Sequence, residues 1–350
     1  MSQKVRVGLI GAGSICRGRH LPGLAKIPDV ELVAVCNRSE ASGRAIATDF
    51  DIAHVDDDWR KLVRRDDVDA VFIGTWPYMH RQLSVATLQA GKHCFCQARM
   101  AMDLADAKQM VAAVAAHPHP VNMISPCPFP MEHQMRRMVH GGQLGLITSV
   151  ELISVNGGNL DRSAVTWRER REYSGNQVMA MGIMAEMLNA LVGPYEHLSA
   201  VTATPIATKV DESGSSVPIA IPQVVTITGR LANGALAVEH HSGLAADSTS
   251  GRSCLTIRGL GGTLRYNFDQ KLEFARVGEP LAQVDVPEDA RTGWTVEQDF
   301  IAAVREAREG KSAQARPVRP DFAEGLLYMR KVEAVHVSAA TGRAVYPARL

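Results

Sequence analysis

The sequence predicts an α/β protein in which an N-terminal, doubly wound parallel sheet precedes an α+β domain with a large, open and mostly antiparallel sheet. Over the first 125 residues, short β-rich runs alternate with helical stretches, which is typical of right-handed βαβ units. After residue 125 the strand-like runs lengthen, alternate between apolar and polar residues, and are joined by glycine-containing turns. The 350 residues suffice for two domains, which we expect at 1–125 and 126–350.

The N-terminal domain supplies strands and helices in alternation. Apolar, β-branched runs predict strands at Val5–Ile10, Glu31–Cys36, Ala70–Gly74 and Lys92–Cys96. Helical spacing of apolar residues predicts helices between them at His20–Lys26, Glu40–Phe50 and His80–Ala90. Ligands of such a sheet gather at the carboxyl ends of its strands, so the residues that follow each strand are the first candidates for a site.

The C-terminal domain is predicted to hold an open sheet that is covered by helices on one side. Its strands are expected at Ile147–Val155, Val224–Leu231, Ala235–His241 and Cys254–Arg258. Its helices are expected at Met179–Leu191, Val296–Glu309 and Phe322–Thr341. The uncovered face of the sheet needs a partner, so we expect a homodimer or homotetramer that forms through this sheet.

The composition excludes several function classes. With 38 Lys+Arg against 37 Asp+Glu, the formal net charge is +1, so no basic excess predicts binding to nucleic acid or to a membrane surface. No apolar run is long enough for a membrane span and no signal peptide precedes the first strand, so we expect a cytoplasmic protein. The six scattered cysteines predict free thiols, and no spacing of metal ligands predicts a metal site.

A glycine-rich turn follows the first predicted strand and precedes a helical run. It reads Gly11-Ala12-Gly13-Ser14-Ile15-Cys16, the GxGxxG/A pattern with its third glycine replaced by cysteine. The first glycine permits the tight turn, and the second lets a pyrophosphate approach backbone N–H groups at a helix N-terminus. The turn and its position predict a Rossmann domain that binds a dinucleotide.

The residues after the second strand bear on the choice of dinucleotide. An NAD-selective site usually places an acidic residue there, but this chain has Asn37-Arg38-Ser39. Asn37 brings no carboxylate to repel a 2′-phosphate, whereas Arg38 and Ser39 can bind one. NADP(H) is therefore favoured, with NAD(H) as the alternative if Arg38 only stacks on the adenine ring.

Further segments, spread over nearly the whole chain, carry a resemblance to one protein family. They are the run from Asp69 to His80, Ala90-Gly91-Lys92-His93, Gly142-Gln143-Leu144-Gly145, Thr166-Trp167-Arg168, Gly182, Gly261-Gly262-Thr263 and Thr341-Gly342-Arg343. Together with the glycine turn, these segments resemble the Gfo/Idh/MocA oxidoreductases. The resemblance implies a Rossmann domain, a C-terminal α/β domain whose open sheet mediates oligomers, and substrates that are sugars, cyclitols or their derivatives.

The chain departs from that family where relatives carry their proton-transfer groups. Relatives usually have Glu-Lys-Pro at the segment that reads Gln97-Ala98-Arg99 here, and an Asp and a His four residues apart where this chain has Ala180 and Met184. The resemblance thus implies that the usual lysine, aspartate and histidine are replaced by Ala98, Ala180 and Met184. We therefore expect a pocket that does not use the family's standard proton transfer.

Other polar residues become the candidates for chemistry and binding. Tyr78 and His80 are the catalytic candidates, because a tyrosine can donate a proton to a developing alkoxide and a histidine titrates near neutral pH. A structural role is the alternative for His80, and an ion pair is the alternative for Arg99. The candidate cofactor ligands are Gly11, Gly13, Ser14, Ile15, Asn37, Arg38, Ser39, Thr75, Trp76, His80 and Gln97. The candidate substrate ligands are Arg99, Gln97, Trp167, Arg168, Gln177 and Met184.

The sequence therefore favours an oxidoreductase that uses NADP(H) or NAD(H) and transfers hydride to or from a small sugar-like, cyclitol or other polar carbonyl or hydroxyl substrate. The first alternative is a catalytically silent relative that binds nucleotide as a sensor or as a partner subunit. A further alternative keeps a bound cofactor and uses transient oxidation to assist elimination or glycoside cleavage.

Overall fold

The computed structural model describes residues 4–160, 164–246, 253–287, 293–310 and 318–350. The chain forms two compact units, one of residues 1–126 and 295–326 and the other of residues 127–294 and 327–350. The domain boundary expected at 125/126 lies next to the first break. The structure differs from that division because residues 295–326 also belong to the first unit. Within them, the helix Val296–Arg308 packs on the first strand, Val5–Ile10, and on the first helix, Leu21–Ala25.

The first unit is built on a six-stranded parallel sheet. Its strands are β1 (Val5–Ile10), β2 (Val30–Cys36), β3 (His54–Val55), β4 (Ala70–Ile73), β5 (His93–Cys96) and β6 (Asn122–Ile124). Its helices are α1 (Leu21–Ala25), which continues a π-helical turn at Cys16–His20, α2 (Glu40–Phe50), α3 (Trp59–Arg64), α4 (Pro77–Gln89), α5 (Leu104–Ala116) and α9 (Val296–Arg308).

The strand order β3-β2-β1-β4-β5-β6 reverses direction between β1 and β4. All five strand pairs are parallel. Strand β4 is buried along its whole length, and five of the six residues of β1 are buried, as expected for parallel strands covered on both faces. A crevice at the carboxyl ends of the strands is expected at this reversal point.

The second unit is built on an eight-stranded sheet and a two-stranded ribbon. Its strands are β7 (Ile147–Val155), β8 (Tyr195–Ala203), β9 (Thr208–Val210), β10 (Ser216–Pro218), β11 (Val224–Leu231), β12 (Leu236–Ser242), β13 (Cys254–Gly259), β14 (Gly262–Asn267), β15 (Lys271–Arg276) and β16 (Ala282–Gln283). Its helices are α6 (Glu132–His140), α7 (Arg171–Ser174), α8 (Met181–Val192) and α10 (Phe322–Thr341), which begins in the first unit.

The large sheet is mixed, with strand order β16-β15-β14-β13-β7-β12-β11-β8. Strands β7 and β12 pair in parallel and the remaining neighbours are antiparallel. One face packs on the core of the unit, while the opposite face exposes Val201, Leu236 and Val238. The predicted fold class, a doubly wound parallel sheet plus a mostly antiparallel open sheet, is therefore confirmed.

No helix among the described residues is long and apolar enough to cross a membrane.

Candidate functional site

A cavity of about 300 Å³ opens at the carboxyl ends of β1, β2 and β4 in the first unit. It lies at the reversal of strand order, where a doubly wound sheet places its ligands. The residues around it are Gly11, Ala12, Gly13, Asn37, Arg38, Ser42, Gly74, Thr75, Trp76 and Tyr78. The sequence-predicted residues Gly11, Gly13, Asn37, Arg38, Thr75, Trp76 and Tyr78 are thus brought together in one place.

The glycine turn forms the floor of this cavity. Gly11 has a φ of +80°, and a Cβ atom there would lie 2.7 Å from the backbone nitrogen of Thr75, so only glycine fits. The Gly11 N–H donates to the Cys36 carbonyl at 2.9 Å, which fixes the turn to the end of β2. A Cβ atom on Gly13 would meet no atom within 4 Å, so the backbone at Gly13 is open to an approaching group.

Cys16 occupies the third position of the glycine pattern and packs beneath the turn. It is buried, and a Cβ atom added to Gly74 would overlap its sulfur. Burial and, to a lesser extent, the charge of Glu297 raise the pKa of the Cys16 thiol to about 12. The thiol therefore stays protonated and acts as a small packing group, because a reactive cysteine needs an accessible thiolate.

The end of β2 presents one amide and one guanidinium to the cavity. The Ala12 N–H donates to Asn37 Oδ1 at 2.8 Å, so the oxygen of that amide is committed to the glycine turn. The Asn37 NH₂ remains as a donor for a ligand, and the side chain carries no negative charge. Arg38 beside it is exposed.

The start of α2 lies at the same edge. Ser39 caps the helix and accepts from the Ser42 N–H at 3.3 Å, while Ser42 lines the cavity itself. Ser42 was missed by the sequence analysis. The signal that could have found it is its position in the first turn of a helix that begins just after β2.

Trp76 and Tyr78 form an aromatic wall where β4 leads into α4. Their ring centroids lie 6.5 Å apart, and Tyr78 is 42% exposed. Trp76 precedes Pro77, which occupies the first turn of the helix, where its missing N–H costs nothing. The hydroxyl oxygen of the neighbouring Thr75 is buried and has no hydrogen-bond partner in the described part of the chain.

His80 does not face this cavity. It is fully buried, its Nε2 lies 2.9 Å from the Thr75 carbonyl, and its Nδ1 lies 2.8 Å from the Arg99 carbonyl. Burial lowers the pKa of His80, although both backbone contacts oppose that shift. Because both ring nitrogens are engaged with the backbone, the geometry fits the structural alternative of the sequence analysis, and we give His80 no step in the chemistry.

The segment after β5 contains Gln97, which is not among the residues that line the cavity, and it buries Arg99. The Gln97 N–H donates to the Ile73 carbonyl at 2.9 Å, next to the start of the cavity-lining segment Gly74–Tyr78. Arg99, a candidate substrate ligand, is only 8% exposed. The remaining cofactor candidates, Ser14 and Ile15, are exposed at the start of the helix that follows the glycine turn.

Four of the predicted substrate ligands belong to the second unit. The Arg168 guanidinium lies 4.4 Å above the Trp167 ring, and burial lowers its pKa. Gln177 is fully buried and donates through Nε2 to the Met329 sulfur at 3.1 Å. Met184 is half-buried one turn after Ala180, whose carbonyl accepts from the Met184 N–H at 2.9 Å. The start of α8 therefore presents no titratable group at these two positions.

No cluster of three or more histidine, cysteine or acidic residues able to hold a metal ion occurs in the described part of the chain.

Comparison with known families agrees with this geometry. Residues 5–124 match the NAD-binding Rossmann domain of the GFO_IDH_MocA oxidoreductases, and residues 136–347 match their C-terminal alpha/beta domain. The chain belongs to the Gfo/Idh/MocA oxidoreductase family. The resemblance drawn from the sequence is thereby confirmed for both halves of this family member.

Several relatives of this Gfo/Idh/MocA protein have named activities. Levoglucosan dehydrogenase from Pseudarthrobacter phenanthrenivorans is 25% identical over 307 residues, which cover 77% of this chain and 75% of that enzyme. A 1,5-anhydro-D-fructose reductase from Ensifer adhaerens is 38% identical over 108 residues, and an inositol 2-dehydrogenase from Agrobacterium fabrum is 32% identical over 115 residues. The latter two alignments span 32% and 34% of those enzymes' own length.

Solved structures share the whole fold. Levoglucosan dehydrogenase in its apo form superposes with a TM-score of 0.87 at 21% identity, covering 98% of each chain. The same enzyme in complex with NADH and levoglucosan superposes with a TM-score of 0.85 at 22% identity, covering 98% of this chain and 99% of that one. At these identities the likeness shows a common fold.

Proposed function

We propose that this protein is an NAD(P)-dependent oxidoreductase, with NADP(H) favoured, that acts on a small sugar-like, cyclitol or other polar carbonyl or hydroxyl compound. The observation that carries the proposal is the cavity in which the glycine turn, Asn37-Arg38 and the Thr75–Tyr78 segment meet. Relatives named for action on an anhydrosugar, an anhydroketose and inositol support the substrate class.

The residues of the cavity fit a dinucleotide. The open backbone at Gly13 suits a pyrophosphate that approaches the N-terminus of the following helix. Thr75 and the flat Trp76 ring line the cavity further along the sheet edge. A nicotinamide cofactor would supply the hydride, and the protein supplies position and electrostatics.

The preference for NADP(H) follows from which atoms of Asn37 and Arg38 remain for a ligand. Asn37 Oδ1 accepts from the Ala12 N–H, so the side chain offers its NH₂ donor and no negative charge. Arg38 adds a permanent positive charge, and Ser42 adds a hydroxyl in the first turn of α2. A fixed positive charge with no carboxylate beside it favours the doubly charged 2′-phosphate of NADP(H).

Arg38→Ala is expected to weaken NADPH binding by about 1.5–3 kcal/mol, the value of a charge-assisted hydrogen bond, and to leave NADH binding within about twofold. Titration of nicotinamide fluorescence with both cofactors measures the two affinities. Arg44→Ala is the matched control, because Arg44 lies on the adjoining helix α2, pairs with Glu40 and does not line the cavity. An equal loss for NADH would show that Arg38 stacks on the adenine ring instead.

Gly13→Val is expected to weaken both cofactors by at least about 10-fold without lowering the thermal unfolding midpoint, because the added side chain would enter the space assigned to the pyrophosphate. The folded chain itself has room, since a Cβ atom there meets nothing within 4 Å. Gly18→Val is the matched control, as Gly18 is equally open but does not line the cavity. Unchanged affinity in Gly13→Val would place the dinucleotide elsewhere.

The proton transfer is proposed to run through Tyr78 or bound water, because Ala98, Ala180 and Met184 supply no titratable group. A screen of carbonyl and polyol compounds with NADPH and NADH, followed by absorbance of the reduced nicotinamide, tests the whole proposal. Turnover would support the oxidoreductase. Tight cofactor binding without turnover on any compound would favour the silent relative, and no binding of either cofactor would refute the proposal.

We further propose that the protein is a cytoplasmic homodimer or homotetramer. The apolar side chains Val201, Leu236 and Val238 on one face of the large sheet support association through that sheet. The six free cysteines, five of them buried, support a reducing compartment.

A further inference from the structure

A buried chain of side chains in the first unit links helix α9 to the segment after β5. His20 Nδ1 lies 2.5 Å from Glu297 Oε1, and His20 Nε2 lies 3.3 Å from Gln97 Oε1. Glu297 is fully buried and His20 is 1% exposed. Placing a carboxyl group this deep is costly unless it is paired and hydrogen-bonded, and the His20 ring supplies that partner.

Aromatic rings and a glycine pack closely around this pair. The His20 ring meets Phe95 edge-on at 5.0 Å, and Phe300 packs edge-on against the same phenyl ring at 5.7 Å. Gly23 on α1 leaves room for the carboxyl group, because a Cβ atom there would lie 2.8 Å from Glu297 Oε2. A rigid ring and a confined carboxyl group can hold a third group in one orientation.

The contact with Glu297 orients the His20 ring relative to the Gln97 side-chain amide. A hydrogen bond between His20 Nδ1 and Glu297 Oε1 engages one ring nitrogen, and the ring then holds Nε2 towards the Gln97 amide. The amide can accept from a protonated Nε2 through its oxygen, or donate to a bare Nε2 through its NH₂. In either form one half of the amide is held by His20, and the other half is presented in a defined direction.

The position of Gln97 indicates what that second half would meet. Gln97 follows β5, whereas the adenosine-selecting residues Asn37 and Arg38 follow β2, and the sheet order is β2-β1-β4-β5. Three strand spacings separate the two positions, about 14 Å. A dinucleotide whose adenosine lies at β2 therefore brings its nicotinamide half towards β5.

We infer that Glu297 and His20 are positioning residues, which orient the Gln97 amide for the nicotinamide half of the bound dinucleotide. This inference rests on the proposed function. It predicts that Glu297 and His20, which line no part of the cavity, affect one half of the cofactor and not the other.

The test compares whole cofactors with fragments that lack nicotinamide. Glu297→Gln keeps the size of the side chain and is expected to weaken NADPH or NADH, whichever binds more tightly to the unchanged protein, by about 10-fold. The affinity for the matching fragment, ADP-ribose or its 2′-phosphate, should stay within about twofold. Equal losses for cofactor and fragment would overturn the inference, because a merely structural Glu297 would affect both.

A double-mutant cycle separates positioning through Gln97 from any other route. Gln97→Ala alone should weaken the cofactor, and Glu297→Gln should add less than about twofold in that background. Additive losses would overturn the inference. If the unchanged protein binds neither NADPH nor NADH, the proposed function itself has failed, whatever ADP-ribose does. That result is distinct from a failure of the inference, which is measured on a protein that binds the cofactor.

A measurement on the unchanged protein keeps the inference testable if Glu297→Gln does not fold. With [15N]histidine labelling, the His20 imidazole is assigned through contacts of its ring protons with Phe95 and Phe72. The Nδ1 shift should show a bound proton, and the Nε2 resonance should move on addition of NADPH or NADH but not of the fragment. An Nε2 chemical shift that does not change on addition of the whole cofactor would refute the inference.

Discussion

Replacing Lys331 with methionine is expected to lower the free energy of unfolding by about 3–5 kcal/mol, because it leaves a buried carboxylate without its cation. Lys331 Nζ lies 2.6 and 2.7 Å from the two oxygens of Glu239, and both residues are at most 3% exposed. Glu239 also accepts from the Tyr195 hydroxyl at 2.7 Å and meets His241 Nε2 at 2.9 Å. Urea unfolding at neutral pH measures the loss.

The double variant Glu239→Gln/Lys331→Met is the matched control. It removes both charges while the glutamine oxygen still accepts from Tyr195, so more than half of the lost stability should return. A double variant no more stable than Lys331→Met would show that the loss comes from packing of the lysine stem. A Lys331→Met protein as stable as the parent would refute the ionised pair.

The pH dependence of the parent provides a second check on the same pair. Burial alone would raise the pKa of Glu239, but Lys331 and His241 lower it from 4.5 to about 2. A carboxyl group with a depressed folded pKa contributes stability above its unfolded pKa and loses it as pH falls towards the folded value. The stability that ionised Glu239 gives the parent should therefore be complete above about pH 4.5 and be lost as the pH falls towards 2. Without Lys331, burial raises the pKa of Glu239, so the stability gap between parent and Lys331→Met should be largest at neutral pH and above and shrink steadily as the pH falls.

The sequence predicted those elements whose signals are local. The strands Val5–Ile10, Ile147–Val155 and Val224–Leu231 coincide with β1, β7 and β11, and the helix Glu40–Phe50 coincides with α2. Periodic apolar residues and a serine cap mark these ends within a few positions of the chain. The helix expected at His80–Ala90 instead begins at Pro77, because proline fits the first turn of a helix.

The groups that determine the sites were harder to predict because their partners are distant in sequence. Glu239 stands in a strand with alternating polarity, yet its side chain faces the core and meets Lys331, 92 positions away. Glu297 meets His20 across 277 positions. The glycine turn is a local motif that predicts a dinucleotide site. No local pattern in a single sequence predicts which polar side chains face the core and form hydrogen bonds with distant residues.

Tyr78→Phe is expected to lower kcat by about 10²-fold, the lower end of what a positioned proton donor contributes, while cofactor affinity stays within about twofold. The phenyl ring keeps its place beside Trp76, 6.5 Å between centroids, and only the hydroxyl is lost. Fluorescence titration and steady-state rates on any substrate found in the screen measure the two quantities separately.

Tyr346→Phe is the matched control for Tyr78→Phe. Tyr346 is 38% exposed, close to the 42% of Tyr78, but it lies in the second unit and does not line the cavity. Loss of the Tyr346 hydroxyl should leave kcat unchanged. A lower kcat in Tyr346→Phe would show that removing any exposed tyrosine hydroxyl lowers turnover. Equal turnover in the parent and in Tyr78→Phe would remove this hydroxyl from the chemistry and leave bound water as the proton source, since His80 is committed to the backbone on both ring nitrogens.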